Sequence, residues 1–131
     1  MTTFDFEARV AHAKNLPSYP QASAAPSFKN SHLLTQDALL AHIGLASNGD
    51  RDAAFKVAKY YRWTVRDIDE AFLWEEIAAS LGHPTAQYNL ASRALEAGDF
   101  AKALHWAQAA LASGEADARQ LIDEARSGLA K

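Results

Sequence analysis

The stretch that decides the fold is residues 53–82, AAFKVAKYYRWTVRDIDEAFLWEEIAASLG, because its pattern returns at residues 86–114, AQYNLASRALEAGDFAKALHWAQAALASG. Shifting the chain by 32 residues lays Ala71-Phe72-Leu73-Trp74 on Ala103-Leu104-His105-Trp106, Ala78 on Ala110, Gly82 on Gly114 and Ala86 on Ala118. A shift of 33 lays Ser47-Asn48-Gly49 on Ser80-Leu81-Gly82, Phe55 on Tyr88 and Ala58 on Ala91. One loop residue accounts for the difference. Alanine makes up roughly a fifth of the chain, so some matches arise by chance and the weight rests on the glycine and tryptophan pairs. A fixed period of this length marks a repeat architecture.

Inside each unit the apolar spacing is helical. Ala53, Ala54, Val57, Ala58, Tyr60 and Tyr61 recur at i, i+3, i+4, as do Ala71, Phe72, Trp74, Ile77, Ala78 and Leu81. Asp67 followed by Glu70 has the form of a capping box, Asp99 suits an N-cap, and Pro84 suits a first helical turn. Gly49, Gly82, Gly98 and Gly114 fall where a left-handed residue ends a helix. The pattern predicts helices at 3–14, 35–47, 51–63, 68–81, 84–97, 99–113 and 115–127. The loops between the last five are short, so successive helices should lie antiparallel.

The unit Ala53-x3-Val57-Ala58-x2-Tyr61, Val65, Asp67, Ala71-x2-Trp74-x3-Ala78-Ala79-x2-Gly82 resembles the Sel-one-like repeat, a relative of the tetratricopeptide repeat. The unit Ala86-x3-Leu90-Ala91, Asp99, Ala103-x2-Trp106-x2-Ala109-Ala110-x3-Gly114 resembles it again. The likeness covers about residues 35–127. Two departures stand out. Arg62-Trp63-Thr64 replaces the Gly-x-Gly of the family's inter-helix loop, and Ala94 stands where the second unit would have tyrosine. The resemblance implies an all-α solenoid of antiparallel helix pairs and an adaptor that holds a peptide or protein partner without chemistry of its own. The expected domains are an N-terminal helix with a Pro-containing extended segment (1–34) and a helical repeat domain (35–131).

A pair of about 32 residues cannot bury its apolar faces alone, so neighbours stack and leave a surface lined by one helix of each pair. With Ala53, Val57, Ala58 and Tyr61 facing the stack, Phe55, Lys56, Lys59 and Arg62 fall on or beside the exposed inner face. Tyr88, Asn89 and Ser92 are their counterparts one unit on. Trp63, off the repeat pattern and beside Arg62, is a surface-anchor candidate. Phe55 and Tyr88 are equally readable as core. Residues 51–66 carry five bases and one acid, whereas residues 67–76 carry five acids and no base. Either the stripes pair across the hairpin or the basic one forms a groove for an acidic peptide. Asp117 and Leu121 at the third unit's equivalent positions argue against a carboxylate clamp.

Composition sets the remaining bounds. The chain has 131 residues, net charge −3 and no cysteine, so it has no general attraction for nucleic acid or anionic membrane and no thiolate metal site, and a cytoplasmic setting is the expectation. The five histidines lack H-x3-H or H-E-x2-H spacing, and His83 before Pro84 reads as a helix cap. Glu75 and Glu76 project about 100° apart on a helix, so they read as solvated charges and not as a catalytic pair. No nucleophile elbow, Walker loop or dinucleotide fingerprint is present. No catalysis, metal or cofactor is expected.

Residues 16–34 hold three of the four prolines and cannot form a regular helix. Helix 3–14 has an apolar side, Phe4, Phe6, Val10, Ala13 and Leu16, that calls for docking. Tyr19 and Phe28 would dock with it or remain on a tether. Phe6-Glu7-Ala8, Lys14-Asn15-Leu16-Pro17, Pro20 and Ala46-Ser47-Asn48-Gly49-Asp50 also resemble the opening of an acyl-CoA-binding protein. That family's nucleotide-gripping residues have no equivalents at Ala41-His42-Ile43-Gly44-Leu45. A small-ligand binder of that type, and a regulator that sequesters one enzyme or complex, are the alternative functions.

Overall fold

The computed structural model of the chain describes residues 5–16 and 35–131, and every regular element among them is helical. They are α1 (Phe6–Lys14), α2 (Gln36–Ser47), α3 (Arg51–Tyr60), a π-helical turn (Tyr61–Val65), α4 (Ile68–Ser80), α5 (Pro84–Glu96), α6 (Phe100–Ala112) and α7 (Ala118–Leu129). No helix among them is long and apolar enough to cross a membrane. The chain divides into two compact units, Met1–Ile77 and Ala78–Lys131.

The starts of the helices are set by local side-chain chemistry. Asp5, Thr35, Asp50 and Asp99 each accept a hydrogen bond from the backbone N–H three residues on, at 3.0–3.2 Å. His83 does the same through Nδ1, which accepts from the Ala86 N–H at 3.2 Å. The capping box at α4 is only half made. Asp67 accepts from the Glu70 N–H at 3.1 Å, but the Glu70 carboxylate turns away to Arg9 and Trp74. Helix register follows the sequence period: α4 and α6 each span 13 residues and begin 32 apart, at Ile68 and Phe100, with a tryptophan at the seventh position of each. The starts of α3 and α5, Arg51 and Pro84, lie 33 apart. Gly82 and Gly114 close the later helices at φ of 102° and 106°, where a β-branched residue would be strained.

Three boundaries differ from the sequence reading by three residues, the first being that α1 starts at Phe6, with Asp5 as its N-cap, and not at 3. Helix α7 starts at Ala118 and not at 115, because Glu115–Asp117 form turns in which the Ala118 and Arg119 N–H groups reach back three residues to Glu115 and Ala116. The helix expected over 51–63 keeps α geometry only to Tyr60. Beyond it the Tyr61 carbonyl accepts from the N–H groups of both Arg66 and Asp67, the latter at 3.0 Å, which widens the last turn. The chain then reverses at Arg66, whose φ of 63° and ψ of 33° are left-handed without the help of glycine. Replacing Arg66 with Gly should therefore stabilise the protein by about 0.5–1 kcal/mol, the relieved Cβ strain exceeding the added unfolded-state freedom. Denaturant titration would detect the gain, and a loss would mean that the Arg66 side chain anchors the turn.

In the first unit α1 packs against α2 and α2 against α3. Its most deeply buried large side chains are Trp74, Tyr61, Leu39, Ile43, Ile77 and Val57. The docking expected for the first helix is made: the Phe6 ring meets the Trp74 indole edge-on at 5.9 Å, and Gln36 Nε2 donates to the carbonyls of Ala13 and Lys14. The expectations for Phe4, Tyr19 and Phe28 lie outside the described residues. In the second unit α6 packs on both α5 and α7 around a core floored by alanine, with Ala91, Ala107, Leu121 and Ile122 in one cluster and Ala94, Ala103 and Ala125 in another. Alanine lets the helix axes approach closely, which explains its abundance.

Candidate functional site

Five of the eight residues singled out from sequence fall in the first unit and three in the second. On α3 and the π turn that continues it, Phe55, Lys59 and Arg62 follow one another at i, i+4 and i+7. The Lys59 Nζ stands 5.5 Å from the centre of the half-buried Phe55 ring. Lys56, beside them, is exposed. Arg62 leans across to α4, its guanidinium 5.4 Å from the centre of the Phe72 ring and one nitrogen 3.8 Å from a Glu75 carboxylate oxygen. Trp63, carried on the π turn, is 57% exposed. In the second unit Tyr88 is partly buried against the Ala91, Ala107, Leu121 and Ile122 cluster, while Asn89 and Ser92 are half-buried.

The structure adds two residues that sequence reasoning missed. Ile68 is 45% and Phe72 36% exposed, so three of the five exposed large apolar side chains among the described residues lie between positions 63 and 72. Ile68 and Phe72 are four apart and share a face of α4, and that i, i+4 relation was the available signal. The buried stripe of α4 is instead Ala71, Trp74, Ile77 and Ala78. Trp63, Ile68, Phe72 and the bases of α3 therefore furnish apolar area and positive charge on the α3–α4 hairpin.

The acidic stripe is mostly engaged inside the first unit, and this corrects the reading of Glu75 as solvated. Glu75 is 4% exposed, against Arg62. Glu70, 6% exposed, accepts from Arg9 Nη1 at 2.6 Å and from the Trp74 indole N–H at 3.2 Å. Both carboxylates are thus paired across elements, and Glu70 ties α1 to α4. Asp67 faces His12 Nε2 at 3.6 Å, and His12 Nδ1 lies 3.1 Å from the Tyr61 hydroxyl.

Burial, reinforced by the Glu70 charge, pushes the Tyr61 phenol well above its ordinary value of 10.0. It keeps its proton, and its hydroxyl shares the 3.1 Å hydrogen bond with His12 Nδ1 while His12 Nε2 faces Asp67. The folded value exceeds the unfolded one, so this contribution is complete below pH about 10 and is lost as the pH climbs from there toward the folded value. Tyr61→Phe should cost about 1 kcal/mol at neutral pH and make alkaline unfolding less steep, readable by thermal melts between pH 7 and 11. An alkaline limb identical to that of the unsubstituted protein would assign it to other groups.

Among the described residues no group of three or more His, Asp or Glu side chains could hold a metal ion. Comparison with protein-family models, curated proteins and solved structures finds no match. The hairpin surface carries exposed rings beside cations, on helices held from beneath by buried charge pairs.

Proposed function

We propose that this chain is a protein-interaction module: a short α-solenoid of Sel-one-like or tetratricopeptide-like helix pairs that binds a peptide or protein and carries out no catalysis. The observation that carries the reading is the grouping of exposed Trp63, Ile68 and Phe72 with Lys56, Lys59 and Arg62 on one hairpin. Exposed aromatics beside cations are what interfaces use as anchors and steering charges. The 32- and 33-residue register of the helix starts supports the repeat assignment. The partner segment is acidic with at least one large apolar side chain, and the setting is cytoplasmic. Adaptor and sequestering regulator are two uses of this one surface.

Arg62 is a poor choice for a charge reversal, because a glutamate there would face the buried Glu75 carboxylate. Lys56→Glu and Lys59→Glu with Trp63→Ala avoid that conflict. Truncating an anchor such as Trp63 should cost about 2 kcal/mol of binding, and the reversals should slow association at low salt. The test is affinity capture from the native host by the full chain and by this triple variant, at matched helicity and melting temperature. The reading predicts proteins captured by the first and lost from the second. Identical captures would remove the hairpin as the binding surface.

A further inference from the structure

A second surface, independent of the hairpin, lies in the second unit. Between α6 and α7 runs an open cleft of about 520 Å³ whose lining includes Leu111 and Ile122 along its floor and Arg119, Asp123 and Arg126 on its α7 side. All three charged residues are exposed, and none of their side chains is in an ion pair or hydrogen bond among the described residues. They sit at i, i+4 and i+7 on α7, so the cleft wall presents positive, negative and positive charge in a line about 10 Å long.

A groove between two helices with an apolar floor is the shape that accepts a third helix laid along it. From the cleft and its charge order we infer that the α6–α7 groove is a docking site for an amphipathic helix of a partner protein whose contacting face reads acid, base, acid. Laid parallel to α7 the partner carries Glu-x3-Lys-x2-Glu, and antiparallel Glu-x2-Lys-x3-Glu, with leucine-like side chains between the charges over Leu111 and Ile122. No segment of this sequence places acid, base and acid at either spacing, so a second copy supplies no helix that matches all three charges. Asp123 supplies selectivity: it rejects a uniformly acidic ligand that the two arginines alone would accept.

The experiment uses the full chain and two fluorescent, lactam-bridged helical peptides that share a leucine stripe. One carries Glu–Lys–Glu and the other the inverted Lys–Glu–Lys on the contacting face, and binding is read by anisotropy. The matched peptide should bind at least about tenfold more tightly than the inverted one, and added salt should weaken it. Arg119→Glu with Asp123→Lys and Arg126→Glu, all exposed changes, should exchange the two preferences. Ala112→Trp, at an exposed position lining the groove, should weaken both peptides while leaving the melting temperature unchanged. Equal binding of the two peptides, no exchange in the triple reversal, or indifference to Ala112→Trp would overturn the inference. So would a single-stranded oligonucleotide that binds more tightly than the matched peptide and competes with it.

Discussion

Arg9→Ala should destabilise the protein by about 3 kcal/mol, the largest effect expected of any polar substitution in the first unit. The cost arises less from the bond lost than from the charge left behind. Glu70 is 6% exposed, and without the guanidinium its carboxylate would keep only the Trp74 indole N–H as a partner. Arg9 itself is 23% exposed, which places the figure at the low end for a broken buried pair. Removing both charges together is a different matter. Arg9→Met with Glu70→Leu replaces the pair by apolar volume and should recover most of the loss. Chemical denaturation of the two single variants and the double would read the coupling directly. If the single variants are as stable as the parent, the Arg9–Glu70 contact does not hold α1 in place.

Ala103→Leu should cost about 3 kcal/mol or more, for a reason that is purely steric. Leucine and alanine have nearly equal helix propensity, so the backbone is indifferent to the exchange. The site is not: Ala103 is 0% exposed and clustered with Ala94 and Ala125, on helices brought close by their small side chains. Three additional carbons must push α6 away from its neighbours or twist into a strained rotamer. Ala101→Leu, two positions away and exposed, is the control and should change stability by less than about 0.5 kcal/mol. Equal melting temperatures for the two variants would mean that the alanine interface is loosely filled.

What the sequence disclosed and what it withheld follow from the range of the interactions involved. The caps at His83 and Asp99, and the left-handed glycines at 82 and 114, act within three or four residues, so they were legible with their register. The half-made box at Asp67 is the exception, since Glu70 is claimed by Arg9, 61 positions earlier. The His12–Tyr61 contact, 49 positions apart, had no local signal either. Glu75 was misread because a helix pattern scored on apolar residues cannot report that a carboxylate in the stripe is buried against a cation from the preceding segment. Phe72 was counted among apolar helix residues, yet Ala71 and Trp74 already fill the buried stripe and the ring is left to the surface. The π turn was hidden for a related reason. Arg62-Trp63-Thr64 carries no glycine to announce a loop, and only the left-handed Arg66 closes it.

The hairpin surface was half visible. Phe55, Lys56, Lys59, Arg62 and Trp63 follow from helical spacing and charge, whereas Ile68 and Phe72 required knowledge of which α4 face is covered. The direct test of the whole functional account is hydrogen–deuterium exchange by mass spectrometry on the full chain, alone and with a protein captured from the native host. The account predicts added protection concentrated in residues 55–72, absent when the Lys56→Glu, Lys59→Glu, Trp63→Ala chain is used. Protection elsewhere with residues 55–72 unchanged would contradict it.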